Sequence, residues 1–478
     1  MSPLMKSRPW LAGAAVFALA GSTIAQTPPV APPNDQALGR QILKQLVETD
    51  TTHAHGSTAA AQEIAQRVLA AGFAPEDVKV IAPPEYPTRG NVIVRYRGTG
   101  GGKPILYICH LDVVEARRED WTYDPFKLTE ADGWLYGRGT IDMKGQDSAV
   151  LESLLRLKAE GLKPRRDIIV AFTADEEAGG SLPGYEGGID YLLRNDRPLI
   201  DADFVINPDA GGGEIKHGRK LDLLTQTSEK MFLTFQLEAR DRGGHSSMPT
   251  PTNPIYRMSR ALAKLGAYQF PLHLTDTTRA YFAGRAPLES GQLAADMREA
   301  STGTLSLGAL RRLSDEVETN VALRTTCVAT TIDGGQGESA LPERVKALVQ
   351  CRVVPGESSA DIEHQIAEVI GDPAIQISVY TKAKASPESP LTPRVIAAVG
   401  SISDGMWPKV VILPNMSAGA SDSAYTRMAG LPSYGVDGIF QDVDDDRAHG
   451  RDERISIEAF NEELEFTYRL MKRLADEG

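Results

Sequence analysis

Five residues of this chain, His110, Asp142, Glu177, Asp209 and His449, are of types that suit a divalent metal. Imidazole and carboxylate groups bind zinc and other first-row divalent ions. A carboxylate can bridge two ions, and a pair about 3.5–4 Å apart can clamp a hydroxide and polarise a carbonyl. Each residue also has a plainer reading. A histidine after a buried strand is commonly structural, and an acidic cluster at a strand end commonly caps a helix or meets solvent. The intervals are long, unlike those of a zinc finger, so spacing leaves both readings open. The three cysteines are too few for an all-cysteine zinc site.

The elements that must position these residues read as follows. A helix is expected over 59–71 and strands over 91–96, 105–109, 167–173 and 203–206, with a helix over 145–160 between the second and third strands. Alternating strands and helices predict an α/β unit: a mostly parallel sheet with helices on both faces. Ligands gather at the carboxyl ends of such strands. His110 and Asp112 follow one strand, Asp175, Glu176 and Glu177 another, and Asp209 a third. The texture changes near Ser228. Strands over 231–239, 325–332 and 345–353, with helices over 253–265 and 360–370, predict an inserted α+β domain over 228–384. Its 267–319 segment reads as an insertion of loops and short helices. The first pattern resumes with a strand over 410–413 and a last helix over 457–476. The first unit is therefore split, 36–227 and 385–478.

Composition excludes several function classes. The chain has 478 residues, 41% hydrophobic and 24% charged, which is the make-up of a folded protein. A formal charge of −13 argues against a nucleic-acid binder. The glycine-rich run Gly98 to Lys103 is no phosphate loop, because Pro104 stands where Ser or Thr is needed and Arg97 where the first glycine belongs. Gly419-Ala420-Ser421-Asp422-Ser423 is no nucleophile elbow, since it ends in Ser. Asn415-Met416-Ser417 is a formal glycosylation sequon of little weight. The acidic run 441–446 reads as a solvated loop near His449.

The wording around the five residues carries a further signal. His110-Leu111-Asp112-Val113-Val114, Leu135 through Gly145, Thr173-Ala174-Asp175-Glu176-Glu177, Asn207-Pro208-Asp209-Ala210-Gly211 and His449-Gly450-Arg451-Asp452-Glu453-Arg454 occur in order. Together they resemble the M20 family of metallopeptidases, a group of carboxypeptidases, dipeptidases, aminoacylases and desuccinylases. The resemblance implies a zinc-peptidase-type catalytic domain with an inserted lid/dimerisation domain. It implies two Zn2+ ions per subunit, with cobalt or manganese as substitutes. Asp142 would bridge them, His110 and Asp209 would complete one set of ligands, and Glu177 and His449 the other. Glu176 would be the general base acting on a metal-bridging water, and Asp112 would orient the His110 imidazole. Gly244-His245-Ser246-Ser247 resembles the lid motif, whose histidine, here His245, would reach a neighbouring subunit's site and stabilise the oxyanion. Gly419 and Asp422 resemble the substrate-side loop. Arg352 fits the pattern as a structural or dimer-edge residue. Many members carry Asn where this chain has Ser339, a departure at a polar substrate contact.

These readings lead to a hydrolase for amide or peptide bonds, a carboxypeptidase or N-acyl-amino-acid amidohydrolase, with a dipeptidase as the alternative in the same family. The alternative from another class is a non-catalytic peptide-binding protein. The expected partners are a small peptide or N-acyl-amino-acid substrate and a second copy joined through the inserted domain, with no nucleic acid and no stable membrane anchor. Residues 1–25 read as a signal peptide, basic at Lys6 and Arg8 and then apolar, followed by a proline-rich linker over 26–35. That predicts a periplasmic or secreted protein. Cys109, Cys327 and Cys351 lie in apolar strand-like runs and are expected as buried free thiols, with a Cys327–Cys351 bridge as the alternative.

Overall fold

The computed structural model describes residues 29–382, 384–391 and 393–476. The expected signal segment, 1–25, lies outside the described residues. The expected linker ends inside a helix, because Pro33 is its first residue and proline suits a helix's first turn.

The chain begins with α1 (Pro33–Glu48) and α2 (Thr58–Ala70), then β1 (Val78–Ile81), β2 (Asn91–Tyr96) and β3 (Ile105–His110). A short ribbon, β4 (Thr129–Ala131) and β5 (Trp134–Tyr136), precedes α3 (Lys144–Ala159), β6 (Ile168–Thr173), α4 (Gly188–Asn195), α5 (Arg197–Ile200), β7 (Phe204–Asn207), β8 (Gly212–Lys216) and β9 (Arg219–Glu229). The inserted segment holds β10 (Met231–Arg240), β11 (Gly244–His245), α6 (Pro254–Ala267), α7 (Asp276–Arg285), α8 (Gly291–Ser301), α9 (Leu307–Asp315), α10 (Val317–Leu323), β12 (Thr326–Gly334), β13 (Ala340–Leu341), β14 (Arg344–Val353), α11 (Ser359–Ile370) and β15 (Ile375–Thr381). Then follow α12 (Pro393–Met406), β16 (Val411–Ser417), α13 (Ser423–Met428), β17 (Ser433–Gly435), β18 (Phe440–Asp442), β19 (Arg454–Ser456) and α14 (Ile457–Asp476).

The large sheet runs β1-β2-β6-β3-β7-β17-β9-β8-β18, with β16 paired to β9. Its centre, β6-β3-β7-β17, is parallel, while β1, β2 and the β8–β9–β17 side pair antiparallel. The sheet is thus mixed, with a parallel heart. β3 is buried at every position, as a strand covered on both faces must be. Tyr107 and Cys109 point into one core with α1, α2, α3, α12 and α14, and Leu106 and Ile108 into another with α4 and α5. The α/β class and the inserted unit hold.

The second sheet, β12-β14-β10-β15, is antiparallel. Leu233, Phe235 and Leu237 of β10 and Val345, Ala347 and Val349 of β14 pack against Met258 of α6 and Ile362 and Ile366 of α11. Register places Cys327 opposite Cys351, and the two form a disulfide. This corrects the expectation of free thiols for that pair, because apolar alternation reports burial but not which residues face each other across strands. Cys109 is free and buried.

The helices α7–α10 gather around Phe282, Met297, Leu313 and Leu323. They pack on the large sheet. Gly284 of α7 lies so near β16 that an added Cβ would sit 2.3 Å from Leu413 Cδ2. Arg285 reaches the buried Asp222 of β9 at 2.6 Å and Glu214 of β8 at 3.0 Å.

Candidate active site

β6, β3 and β7 are parallel neighbours, so their carboxyl ends lie side by side. His110 is the last residue of β3, Glu176 and Glu177 follow β6, and Asp209 follows β7. Asp142 comes from the turn before α3, and His449 from the loop between β18 and β19. The fold therefore brings together all five residues proposed from sequence.

Their distances divide them into two sets around one carboxylate. His110 Nε2 is 3.1 Å from Asp142 Oδ1 and 3.3 Å from Asp209 Oδ1. His449 Nε2 is 2.9 Å from Asp142 Oδ2 and 2.8 Å from Glu177 Oε1. Asp142 thus offers one oxygen to each imidazole, and each imidazole has a second carboxylate of its own. The ligand atoms of His110, Asp142 and Glu177 all lie within 4.8 Å of one another.

The charges respond as a cation site would make them. Burial alone would lower the His110 imidazole, but Asp209 and Asp142 push it well above its ordinary value. Hydrogen bonds to Asp142 and Glu177 push His449 up to about 10. Burial raises the Asp142 carboxyl, yet the two imidazoles outweigh it and hold it well below the usual range. Divalent cations held by such a set would displace any proton from its imidazoles.

Supporting groups fix this geometry. The buried Glu453 carboxylate accepts from the N–H of Gly139 at 3.0 Å, Ile141 at 2.9 Å and Asp142 at 3.2 Å, and pairs with Arg138 Nη1 at 2.5 Å. It holds the turn that presents Asp142. Sequence reading quoted Glu453 within a motif and gave it no role. The Asp112 carboxylate accepts from the N–H of Glu176 and of Glu177, each at 3.0 Å. The His110 Nδ1 bonds to the Asp112 backbone carbonyl at 3.0 Å, while the carboxylate stands 3.8 Å away. Asp112 therefore orients the imidazole through its main chain and the Glu176–Glu177 loop through its side chain. Asp175 is held at φ 56 and His449 at φ 61, in the left-handed region that non-glycine residues seldom adopt. The buried Arg89 pairs with Asp175 at 3.3 Å and secures the first of these turns.

A cavity of about 320 Å³ opens over these groups. One wall is Asp142, Glu176, Glu177, Asp209 and His449. The other is Gln226, Asn415, Ser417, Ala420 and Ser421. Burial, with Asp209 and Asp422 adding to it, pushes the Glu176 carboxyl well above its ordinary value. Asp422 lies beneath the cavity rather than on its wall. It is buried, accepts from Thr173 Oγ1 at 2.9 Å, and is pushed up to about 7 by that burial. Gly419 donates its N–H to Ser417 Oγ at 3.0 Å and is itself outside the lining. His245 is exposed on the β11–β13 ribbon, 2.8 Å from Ser247 Oγ, and does not line the cavity. Ser339 contributes only its carbonyl to that ribbon, accepting from Ser246 at 3.0 Å. Arg352, on β14, stacks over Phe232 at 4.9 Å, and its buried Nη1 has no hydrogen-bond partner among the described residues.

Comparison with known proteins agrees with this arrangement. A carboxypeptidase S-like protein of Dictyostelium discoideum is 28% identical over 384 residues, 77% of this chain and 71% of that protein. The human N-fatty-acyl-amino acid synthase/hydrolase is 27% identical, covering 77% of this chain and 74% of its own length. The fold matches a metallo-carboxypeptidase of Sulfolobus solfataricus with a TM-score of 0.67 at 17% identity, over 91% of this chain and 99% of that one. It also matches human carnosine dipeptidase 1 at 0.59 and 16% identity, over 93% and 97%. The model of peptidase family M20/M25/M40 matches residues 106–473, and the chain belongs to that family.

Proposed function

We propose that the protein is a dizinc hydrolase of small N-acyl amino acids or peptides. One observation carries this reading: Asp142 offers one carboxylate oxygen to each of two imidazoles, and each imidazole has a further carboxylate. That donor set suits two divalent ions: Asp142 would be shared between them, His110 and Asp209 would complete one set of ligands, and Glu177 and His449 the other. When bound, such a pair supplies Lewis acidity toward a carbonyl oxygen and acidifies water. Glu176 takes the proton of the attacking water on a carboxylate oxygen and delivers it to the leaving amine nitrogen. Glu176 lines the cavity beside Glu177, where a free carboxylate can reach the reacting atoms. Asp112 keeps Glu176 and Glu177 in separate roles by fixing the backbone of both.

A carboxylate-bearing product fits carboxypeptidase or amidohydrolase action, in line with the names of the sequence relatives. His245, exposed and away from the cavity, then acts in a second copy joined through the inserted domain, whose edge strand β12 exposes Val328 and Ile332. Secretion is supported by the N-terminal residue pattern and by the Cys327–Cys351 bridge, a feature of oxidising compartments. Among the described residues no helix is long and apolar enough to cross a membrane.

The test is metal analysis of the purified protein with turnover across N-acyl amino acids and dipeptides. Two zinc equivalents and amide hydrolysis are expected. A folded protein that takes up no metal and cleaves none of the panel would overturn the reading. A monomer of full activity by light scattering would overturn the role of His245 in a partner.

A further inference from the structure

The second wall of the cavity carries a chemistry of its own. Asn415 of β16 and Gln226 of β9 are register partners on neighbouring parallel strands, and both line the cavity. Gln226 is buried, and both ends of its amide are held. Its Oε1 accepts from Arg427 Nη2 at 2.8 Å and its Nε2 donates to Glu229 Oε2 at 3.4 Å. Asn415 is half-buried and makes no side-chain hydrogen bond among the described residues. Its carboxamide therefore presents both a donor and an acceptor to whatever enters. Ser417 Oγ accepts from Gly419 N–H, which leaves the Ser417 hydroxyl proton to donate.

This wall is rigid. β16 is pressed from outside by α7 at Gly284 and Leu413, and α7 is pinned by Arg285 to Asp222 of the adjoining strand. The wall also bears no cation, so a carboxylate finds no counter-charge on it. An aliphatic chain laid against it would strip water from the Asn415 amide and return no hydrogen bond, which is costly. An uncharged group with its own N–H and C=O satisfies it.

We propose that Asn415, beside Gln226 on the neighbouring strand, is a specificity-determining residue that selects substrates presenting an uncharged amide to this wall. The amide belongs to a glutamine or asparagine side chain, or to a further peptide unit. This inference rests on the hydrolase reading and narrows its substrate class. It separates the protein from a relative whose name specifies fatty acyl groups.

The experiment compares kcat/KM for N-acetylglutamine, N-acetylnorleucine and an N-acetyl dipeptide of apolar residues in wild type, Asn415→Leu and Asn415→Asp. Calorimetric binding of glutamine and norleucine to the metal-loaded proteins is measured in parallel. The wild type should favour glutamine over norleucine by about tenfold or more. Both variants should lose that preference at unchanged metal content. Asn415→Asp keeps the shape and loses the donor, so it guards against a folding defect. A dipeptide substrate more sensitive to Asn415 than the glutamine one would identify the peptide unit as the group recognised. A preference kept in both variants, or a wild type that favours norleucine, would overturn the proposal. Asn415-dependent binding of glutamine without any turnover would instead sink the hydrolase reading and leave the wall's selectivity standing.

Discussion

The two walls of the cavity are built by different rules. The acidic wall consists of charged groups at and just beyond strand ends, most of them tied by short contacts: His110 to Asp142 and Asp209, His449 to Asp142 and Glu177. The opposite wall consists of neutral amides and hydroxyls on β9, on β16 and in the loop after β16. The first is specified by residue type, since few side chains bind a divalent ion. The second is specified by position, since Asn, Gln and Ser occur on any surface. On the proposed reading, one wall sets the reaction and the other the molecule offered to it.

That contrast predicts how each wall breaks. Asp142→Ala removes the carboxylate common to both halves of the donor set. Metal content should fall at both positions and hydrolysis should drop to background, by metal analysis and initial rates on one preparation. A variant that keeps two ions would mean Asp142 does not bridge. Glu176→Gln should have the next largest effect. It should retain both ions and lose about 10²- to 10⁴-fold in kcat, with KM little changed. Wild-type rates would remove Glu176 from proton transfer.

Asp112→Ala should cost less, about 10- to 100-fold in metal affinity or activity. It frees the N–H groups of Glu176 and Glu177 while the main-chain bond to His110 persists. The loss should therefore fall more on kcat than on occupancy of the His110 side. Equal loss from both ions would show that the side chain orients the imidazole after all.

Legibility from sequence follows the same division. The strand–helix alternation placed His110, Glu177 and Asp209 at strand ends, and the parallel centre of the sheet is what makes those ends adjacent. Glu453 carries no such signal, because a buried carboxylate that accepts three backbone N–H bonds and pairs with Arg138 looks in sequence like any acidic residue of a motif. In sequence Asn415 and Ser417 read only as a sequon, and Gln226 carries no signal, because it is strand register that brings it beside Asn415. Register likewise decides between free thiols and the Cys327–Cys351 bridge, which apolar alternation alone leaves open. The sequence predicts an insertion of loops and short helices over 267–319, and the observed helices run from Asp276 to Leu323. Their docking against β16 depends on one glycine and one buried arginine far apart from their partners in sequence.

The mildest test concerns the point where the second wall ends. Lys230 follows β9, donates its backbone N–H to Ser417 O at 2.9 Å, and leads directly into β10. Its ammonium is buried and bonds to the Arg324 carbonyl at 2.6 Å. Burial lowers its pKa to about 7, with Glu357 opposing the shift and Arg352 and Arg324 adding to it. The unfolded lysine titrates near 10.4. Folding therefore releases a proton between these values, and the cost of burying Lys230 is greatest below pH 7 and fades as pH rises toward 10. Lys230→Met should be more stable at pH 7 than at pH 10 relative to wild type, by about 2–4 kcal/mol. The lost bond to Arg324 adds a penalty that does not depend on pH, so the slope of the difference, measured by urea unfolding, is the readout. A difference that stays flat from pH 7 to 10 would show that Lys230 remains charged. The bond to the Arg324 carbonyl, and the field of Glu357, would then outweigh its burial.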